Sequence, residues 1–264
     1  LPQVTAEALR GAAASFGLHT SQRDGWHPRC FGFLSDAALE GLGRLFHLAE
    51  ALGRFPSAWQ AVLIRLIPKP GSTDTRPIGL FPALHRIWAK TRVPDIQAWQ
   101  NRADHGEVIN MRGGRHTLDA VWRAQVRNLV RSQTTRAAEI LWDLKKFYEH
   151  VQHQHLAQEA LQLGYPMGVL RLSLHSYCWP RTLILESAVG QPIHPSRGVI
   201  AGSSLATFEV SMLLQRELCA TAVRHQVLAS IHIDDLSLTA EAASLQALEA
   251  KMGTAAKAFR TLLE

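Results

Sequence analysis

The order of helical and β-type segments is the feature that most constrains the fold of this chain. Amphipathic helical patterns and short β-branched runs follow one another without the regular strand–helix–strand repeat of a doubly wound sheet. This order predicts an α+β fold. A helix interrupted near Pro94 is predicted at 84–99, and 169–176 is compatible with helix or extended chain. The other helices are predicted at 35–53, 117–130, 155–163, 205–223 and 240–263. The first of these is expected to be capped by Ser35 and ended by Gly53, with one apolar side formed by Leu39, Leu42, Leu45 and Leu48 or Leu52. Strands are predicted at 61–68 and 140–143, two strands around Gly190 at 182–194, and two meeting at Asp234-Asp235 at 228–238.

The composition is that of a folded chain. Of 264 residues, 47% are hydrophobic and 19% are charged, which excludes a disordered chain. Three scattered cysteines lack zinc-ligand spacing and predict a reducing, intracellular compartment. Neither a signal peptide nor an apolar run of about 20 residues is seen, so no membrane partner is expected.

The net charge of +6 is unevenly distributed. Residues 54–131 contain 13 Lys or Arg against 5 Asp or Glu, and the later half is closer to neutral or acidic. This asymmetry suits a site that holds phosphates with one part and metal with the other, although a solvated basic face would give the same pattern.

Three carboxylates lie at the ends of predicted strands. Alternation in Ile231–Leu238 predicts a hairpin with Asp234 and Asp235 at its tip, and Asp143 ends another apolar strand. A carboxylate at a strand end can meet those of a neighbouring hairpin, and such hard oxygen ligands suit Mg²⁺. Capping of a turn or helix is the alternative role of each aspartate.

Basic and glycine-rich turns provide candidate phosphate and nucleotide contacts. Lys69 and Arg76 flank a Pro/Gly turn, where their side chains can neutralise a triphosphate or simply lie in solvent. Gly198 and Gly202 precede a predicted helix and allow close backbone approach to a ligand.

Together these segments resemble the polymerase motifs of reverse transcriptases, especially those of the LINE-type (non-LTR) retroelement group. The resemblance extends from about Ser21 to Leu238. Six motifs of the family are matched in order. In the first half of the chain, the early Asp-Gly segment corresponds to Ser21–Pro28, the fingers segment to Lys69–Ile78 and the Arg/Gly-rich segment to Arg112–Thr117. In the second half, the first catalytic motif corresponds to Asp143–Tyr148, the Gly-rich motif to Arg197–Leu205 and the aromatic-x-Asp-Asp motif to His232–Asp235.

The resemblance implies a right-hand polymerase. Residues 1–138 would form the fingers with an N-terminal extension, and 139–264 the palm. A return segment near 165–195 would pack toward the fingers. Only one helix follows the hairpin before Glu264, so the thumb is expected to be absent or incomplete. The thumb and other domains of a longer polyprotein would then be partners.

The resemblance also assigns roles to individual residues. Asp143, Asp234 and Asp235 would be the catalytic carboxylates, and Asp143, Leu144 and Asp234 would hold two Mg²⁺ ions, which Mn²⁺ can replace. Nucleotide-binding roles are implied for Lys69, Arg76, Lys146, Phe147, Tyr148, Ala201 and Gly202. Primer or template contacts are implied for His232, Arg112, Arg115 and Arg197.

The implied reaction is attack of a DNA or RNA primer 3′-hydroxyl on a dNTP, directed by an RNA template. Tyr148 falls at the aromatic position that excludes a 2′-hydroxyl, which favours deoxynucleotides over the alternative of an RNA-directed RNA polymerase. Retroelement enzymes of this type, from retrotransposons, act at chromosomal DNA, so a nuclear location is expected.

Two residues depart from the family pattern. Ala201 stands where the family usually has glutamine, and His232 stands at the usual aromatic position. These departures leave a third alternative, a catalytically decayed reverse-transcriptase-like domain that binds RNA.

Overall fold

The structure is a computed structural model that describes residues 1–71, 73–102, 117–130, 135–232 and 235–263. The described residues form α-helices α1 Ala6–Ala14, α2 Asp36–Leu52, α3 Ala83–Arg102, α4 Thr117–Val130, α5 Phe147–His150, α6 His153–Gln162, α7 Met167–Tyr177, α8 Ala206–His225 and α9 Leu245–Leu263. The strands are β1 Val62–Pro68, β2 Thr75–Leu80, β3 Arg136–Asp143, β4 Arg181–Leu185, β5 Ala188–Val189, β6 Leu228–His232 and β7 Asp235–Ala242. The α+β prediction is confirmed, and the right-hand arrangement and incomplete thumb stay predictions.

The chain divides into two compact units, each assembled from two stretches of sequence. The first unit contains Leu1–Ile96 and Tyr148–Glu209, and the second contains Gln97–Phe147 and Val210–Glu264. The division into fingers and palm at residue 138 stays a prediction about functional regions.

The first unit is built on a mixed four-stranded sheet of order β2-β1-β4-β5. Strands β1 and β2 form an antiparallel hairpin in which Ile67 faces Arg76, and β1 pairs in parallel with β4. This pairing places part of the predicted return segment in the same sheet as 62–68. The turn between β4 and β5 contains Glu186, at φ +53°, and not Gly190 as predicted.

The aromatic core of the first unit surrounds Phe55. The rings of Trp88 and Trp179 pack edge-on to Phe55, with centroids 5.1 and 5.5 Å away. A buried ion pair lies beside this core, where Arg92 donates to both carboxylate oxygens of Glu50 at 2.6 and 2.7 Å. The ion pair joins α2 to α3, and the aromatic packing joins the segment after α2 to Trp88 of α3.

Helix α2 has the predicted ends and a different buried face. Ser35 caps its first turn and Gly53 ends it in the left-handed conformation, at φ +68°. Leu39 is buried as expected, but the leucines that continue its spacing are exposed. The buried face instead includes Gly43, where a Cβ would lie only 2.4 Å from the carbonyl oxygen of Val4, so the N-terminal segment selects this face. The exposed leucines are Leu45, Leu48 and Leu52.

Helix α3 continues through Pro94 without the predicted interruption. Proline removes one backbone donor and crowds the preceding turn. Within the first unit Ile87, Trp88 and Ile96 are fully buried on either side of it. Burial of this apolar surface offsets the local cost of the proline.

The second unit contains an antiparallel sheet of order β3-β7-β6. Helix α9 packs on β3 and β7, and Phe259 stacks on Trp142 with ring centroids 5.8 Å apart. Leu236 and Leu238 are buried on the helix-covered face, as alternation predicts. Leu118, Trp122 and Leu129, on the predicted apolar side of α4, are exposed among the residues described. No helix in the described part of the chain has the length and hydropathy of a bilayer span.

Candidate active site

Two aspartates face each other at one end of the sheet in the second unit. Asp143, the last residue of β3, is in register with Asp235, the first residue of β7. Their neighbours Trp142 and Leu236 point to the packed face, so both carboxylates lie on the exposed face. Residues directly opposite on antiparallel strands have Cβ atoms about 5 Å apart. The structure therefore brings together two of the three predicted catalytic carboxylates.

This pair has the donor chemistry of a magnesium site. Two like charges directly opposite on neighbouring strands are destabilising unless a cation offsets them, and carboxylate oxygens are ligands that Mg²⁺ prefers. Leu144 can contribute only its carbonyl oxygen, which accepts a hydrogen bond from the Phe147 amide at 3.2 Å and retains a second lone pair. Asp234, the third predicted ligand, lies outside the described residues. Among the residues described, no three His, Cys, Asp or Glu side chains are grouped as a metal site.

His232 lies in the same row of the sheet as the two aspartates. It is in register with Asp235 across β6 and β7, and its side chain is partly exposed. The order across the sheet is therefore Asp143, Asp235, His232. This order places the predicted primer contact beside the carboxylate pair.

In the first unit, the Gly-rich segment holds the backbone around Tyr148. The amide of Val199 donates to the Tyr148 carbonyl, and the amide of Gly198 donates to the Val151 carbonyl, each at 2.8 Å. Gly198 has φ +89°, and a Cβ there would lie 3.0 Å from the carbonyl oxygen of Glu149. Only glycine combines this conformation with this approach.

A second close approach joins the Gly-rich segment to β2. The Gly79 amide donates to the Ala201 carbonyl at 2.7 Å. A Cβ on Gly202, at φ +120°, would lie 2.3 Å from the carbonyl oxygen of Gly79, and one on Gly79 would lie 2.0 Å from Ile200. The sequence interpretation missed Gly79, although a glycine inside a strand often marks a close backbone approach.

These contacts border a cavity of about 240 Å³ in the first unit. Its wall contains Tyr148, Ala201, Gly79 and Arg181, and most of the remaining lining is aliphatic. The structure thus brings the predicted sugar-selecting aromatic and the residue at the usual glutamine position to one cavity. Gly202, which has the same predicted nucleotide-binding role, follows Ala201 directly.

The two basic residues of the fingers hairpin are placed differently. The Lys69 amide donates to the Asp74 carbonyl at 2.9 Å, which closes the turn. Arg76 is exposed and pairs with Ile67, whereas the neighbouring pair, Leu66 and Pro77, lines the cavity. Because successive strand residues alternate between faces, Arg76 lies on the face opposite the cavity.

Arg65 is an exposed basic residue that the sequence interpretation missed. It pairs with Ile78 on the same face of the hairpin as Arg76. The apolar–polar alternation of β1 was the available signal.

The remaining predicted residues are on the surface or outside the described ranges. Lys146 is exposed and has a left-handed backbone, at φ +54°, directly before the partly exposed Phe147. Arg197 is exposed at the start of the Gly-rich segment. Arg112 and Arg115 lie outside the described residues.

Two polar residues beside the Gly-rich segment carried no motif signal. Arg181 donates through Nη2 to the carbonyls of Tyr177 and Gly198, at 2.8 and 3.1 Å, and His153 Nε2 lies 3.0 Å from the same Gly198 oxygen. Burial lowers the pKa of Arg181, and nearby Cys178, Tyr177 and Glu149 act in the opposite direction. Sequence spacing does not reveal this cluster, because its members come from three separate segments.

Comparison with known protein families agrees with this arrangement. A family model described as reverse transcriptase (RNA-dependent DNA polymerase) matches residues 67–261, which is most of the chain. The matched range includes the Asp143–Asp235 pair, Tyr148 and the Gly-rich segment. A search of curated proteins found no match. The family match shows that this chain belongs to the reverse transcriptase (RNA-dependent DNA polymerase) family.

Proposed function

We propose that this chain is an RNA-directed DNA polymerase that adds dNTPs to a primer 3′-hydroxyl by two-metal phosphoryl transfer. The primer 3′-oxygen bonds to the α-phosphorus, the bond from that phosphorus to the β-phosphate oxygen breaks, and pyrophosphate and the hydroxyl proton leave. The observation that carries this proposal is the Asp143–Asp235 register on the exposed sheet face.

The carboxylates provide the metal ligands for this chemistry. Asp143, Asp235 and the adjacent Asp234, with the Leu144 carbonyl, would hold Mg²⁺ or Mn²⁺. Bound metal would lower the pKa of the attacking hydroxyl and neutralise charge on the leaving phosphates. Without such cations, the paired carboxylates would repel both the triphosphate and each other.

Tyr148 supports the choice of a deoxynucleotide. It lines the same cavity as Ala201. A nucleotide bound with its sugar over this rigid ring would have no space for a 2′-oxygen. An RNA polymerase would instead require a polar side chain that hydrogen-bonds this hydroxyl. Ala201 has no amide to position the template base, so we expect lower fidelity than with glutamine.

We further propose that the parent protein is a LINE-type, non-LTR retrotransposon polyprotein that acts in the nucleus on its RNA template and a primer. The motif order and the basic stretch at 54–131 support this assignment. The protein would contact sugar and phosphate more than base edges, so its affinity for nucleic acid should fall with salt.

Single-nucleotide primer extension on an RNA template tests the proposal, with Mg²⁺ or Mn²⁺ and with either dNTP or rNTP. We expect metal-dependent dNTP incorporation and relaxed discrimination in Tyr148→Ala. Preferred rNTP incorporation would indicate an RNA polymerase. A chain that binds primer and template but extends neither would indicate a decayed, RNA-binding domain.

A further inference from the structure

Two donors converge on one carbonyl oxygen behind the Tyr148 segment. Arg181 Nη2 donates to the Gly198 carbonyl at 3.1 Å, and His153 Nε2 lies 3.0 Å from the same oxygen. Because a carbonyl only accepts, Nε2 carries the hydrogen. Nδ1 of His153, on the other side of the ring, lies 3.6 Å from the Cys178 thiol. Arg181 is also anchored by the Tyr177 carbonyl at 2.8 Å.

The Gly198 peptide in turn holds the backbone of residues 148–151. Its own amide bonds to Val151, and the next amide, of Val199, bonds to Tyr148, each at 2.8 Å. Gly198 also packs closely on Glu149, since a methyl group at Gly198 would lie 3.0 Å from a backbone oxygen. A constraint on the Gly198 carbonyl is therefore transmitted to the 148–151 segment through two hydrogen bonds, one of which is to the Tyr148 carbonyl itself.

We propose that Arg181 and His153 are positioning residues for sugar selection, because they clamp Gly198 and so fix Tyr148 beneath the nucleotide sugar. Neither residue contacts the reacting atoms in this scheme. The inference rests on the proposed function, since Tyr148 selects a sugar only if the chain incorporates nucleotides.

Hydrogen exchange measures the clamp without requiring activity. In Arg181→Ala and in His153→Ala, we expect the amides of Gly198 and Val199 to exchange about tenfold faster or more than in the wild type. Unchanged exchange at both amides in both variants would overturn the inference.

The first unit contains matched controls for both variants. Arg171 also donates to two backbone carbonyls, those of Glu50 and Ala51, at 3.1 and 2.8 Å. His27 Nε2 lies 3.2 Å from the Gly17 carbonyl oxygen. Arg171→Ala and His27→Ala remove equivalent bonds away from the 148–151 segment, so they should leave the Gly198 and Val199 amides unchanged. Faster exchange in these controls would indicate general destabilisation and contradict the clamp.

Nucleotide selectivity tests the consequence. We expect the ratio of kcat/KM for dNTP to that for rNTP to fall about tenfold in Arg181→Ala, and to be partly restored in Arg181→Lys. Restoration is expected because Nη2 of Arg181 donates both hydrogen bonds, and a single lysine amine can likewise donate to both carbonyls.

A double variant separates positioning from general damage. In a Tyr148→Ala background, Arg181→Ala should cause no further loss of selectivity. An additional loss there, or unchanged selectivity in Arg181→Ala alone, would overturn the inference. A wild-type chain that incorporates neither nucleotide would refute the proposed function, and the exchange rates would then decide by themselves whether the clamp exists.

Discussion

Replacement of Glu209 by glutamine should remove a pH dependence from the stability of the first unit. The Glu209 side chain is fully buried and accepts a hydrogen bond from the hydroxyl of Tyr177. Burial raises the pKa of Glu209 from 4.5 to about 7, although the bond from Tyr177 acts in the opposite direction. Glutamine retains an acceptor for Tyr177 and has no charge to bury.

The sign and size of the effect follow from these two pKa values. Between pH 4.5 and about 7, folded Glu209 retains a proton that the unfolded chain has released. The free energy of unfolding therefore decreases as the pH rises through this window. At 1.36 kcal/mol per pKa unit, the full loss is about 3 kcal/mol.

Urea unfolding at several values between pH 5 and pH 8 measures this effect, with tryptophan fluorescence as the signal. The quantity to compare is the free energy of unfolding of the wild type minus that of Glu209→Gln, because other titrating groups are common to both chains. This difference should fall by roughly 2–3 kcal/mol as the pH rises. A difference that does not change with pH would refute a buried neutral Glu209.

Three further substitutions probe other features of the first unit. Burial, and to a lesser extent Arg86, lowers the pKa of His85 to about 3, so the wild type should lose free energy of unfolding as the pH falls from 6.5 to 3. His85→Phe should lack this contribution, which urea unfolding of both chains at pH 4 and pH 7 measures. Gly202→Ala, at φ +120°, forces a Cβ to within 2.3 Å of a β2 carbonyl oxygen and should cost about 2–3 kcal/mol by urea unfolding. Gly25→Ala, at φ +75° with open space around it, should cost about 1 kcal/mol. Glu50→Ala leaves the buried Arg92 guanidinium with Asp95 as its remaining acidic partner and should lower the free energy of unfolding by about 3 kcal/mol. An additional Arg92→Met substitution should restore part of the loss.

Local patterns predicted the individual elements well. The caps of α2 at Ser35 and Gly53 and the hairpin that begins at Leu228 depend on neighbours in sequence, and the structure has them. The alternation of Ile231–Leu238 also fixed which side chains face the sheet core. These features are encoded within a few residues of one another.

Features decided by tertiary contacts could not be predicted in this way. The buried face of α2 depends on the approach of Val4 to Gly43, and the continuity of α3 through Pro94 depends on burial of its neighbours. No spacing rule relates His153, Arg181 and Gly198, which meet only in the folded chain. The order of the motifs predicted Tyr148 and Ala201 as site residues, but it could not predict the cavity that both residues line.

The most direct test of the central claim is the rate of single-dNTP incorporation by Asp143→Asn beside a matched variant. Glu139→Gln removes a charge from the same exposed face of β3, where Glu139 pairs with Thr239 and not with a carboxylate. If Asp143 and Asp235 form the catalytic pair, Asp143→Asn should slow incorporation about a thousandfold or more, roughly 4 kcal/mol, while primer–template binding is retained. Glu139→Gln should remain within about threefold of the wild type. Undiminished incorporation in Asp143→Asn would contradict the account.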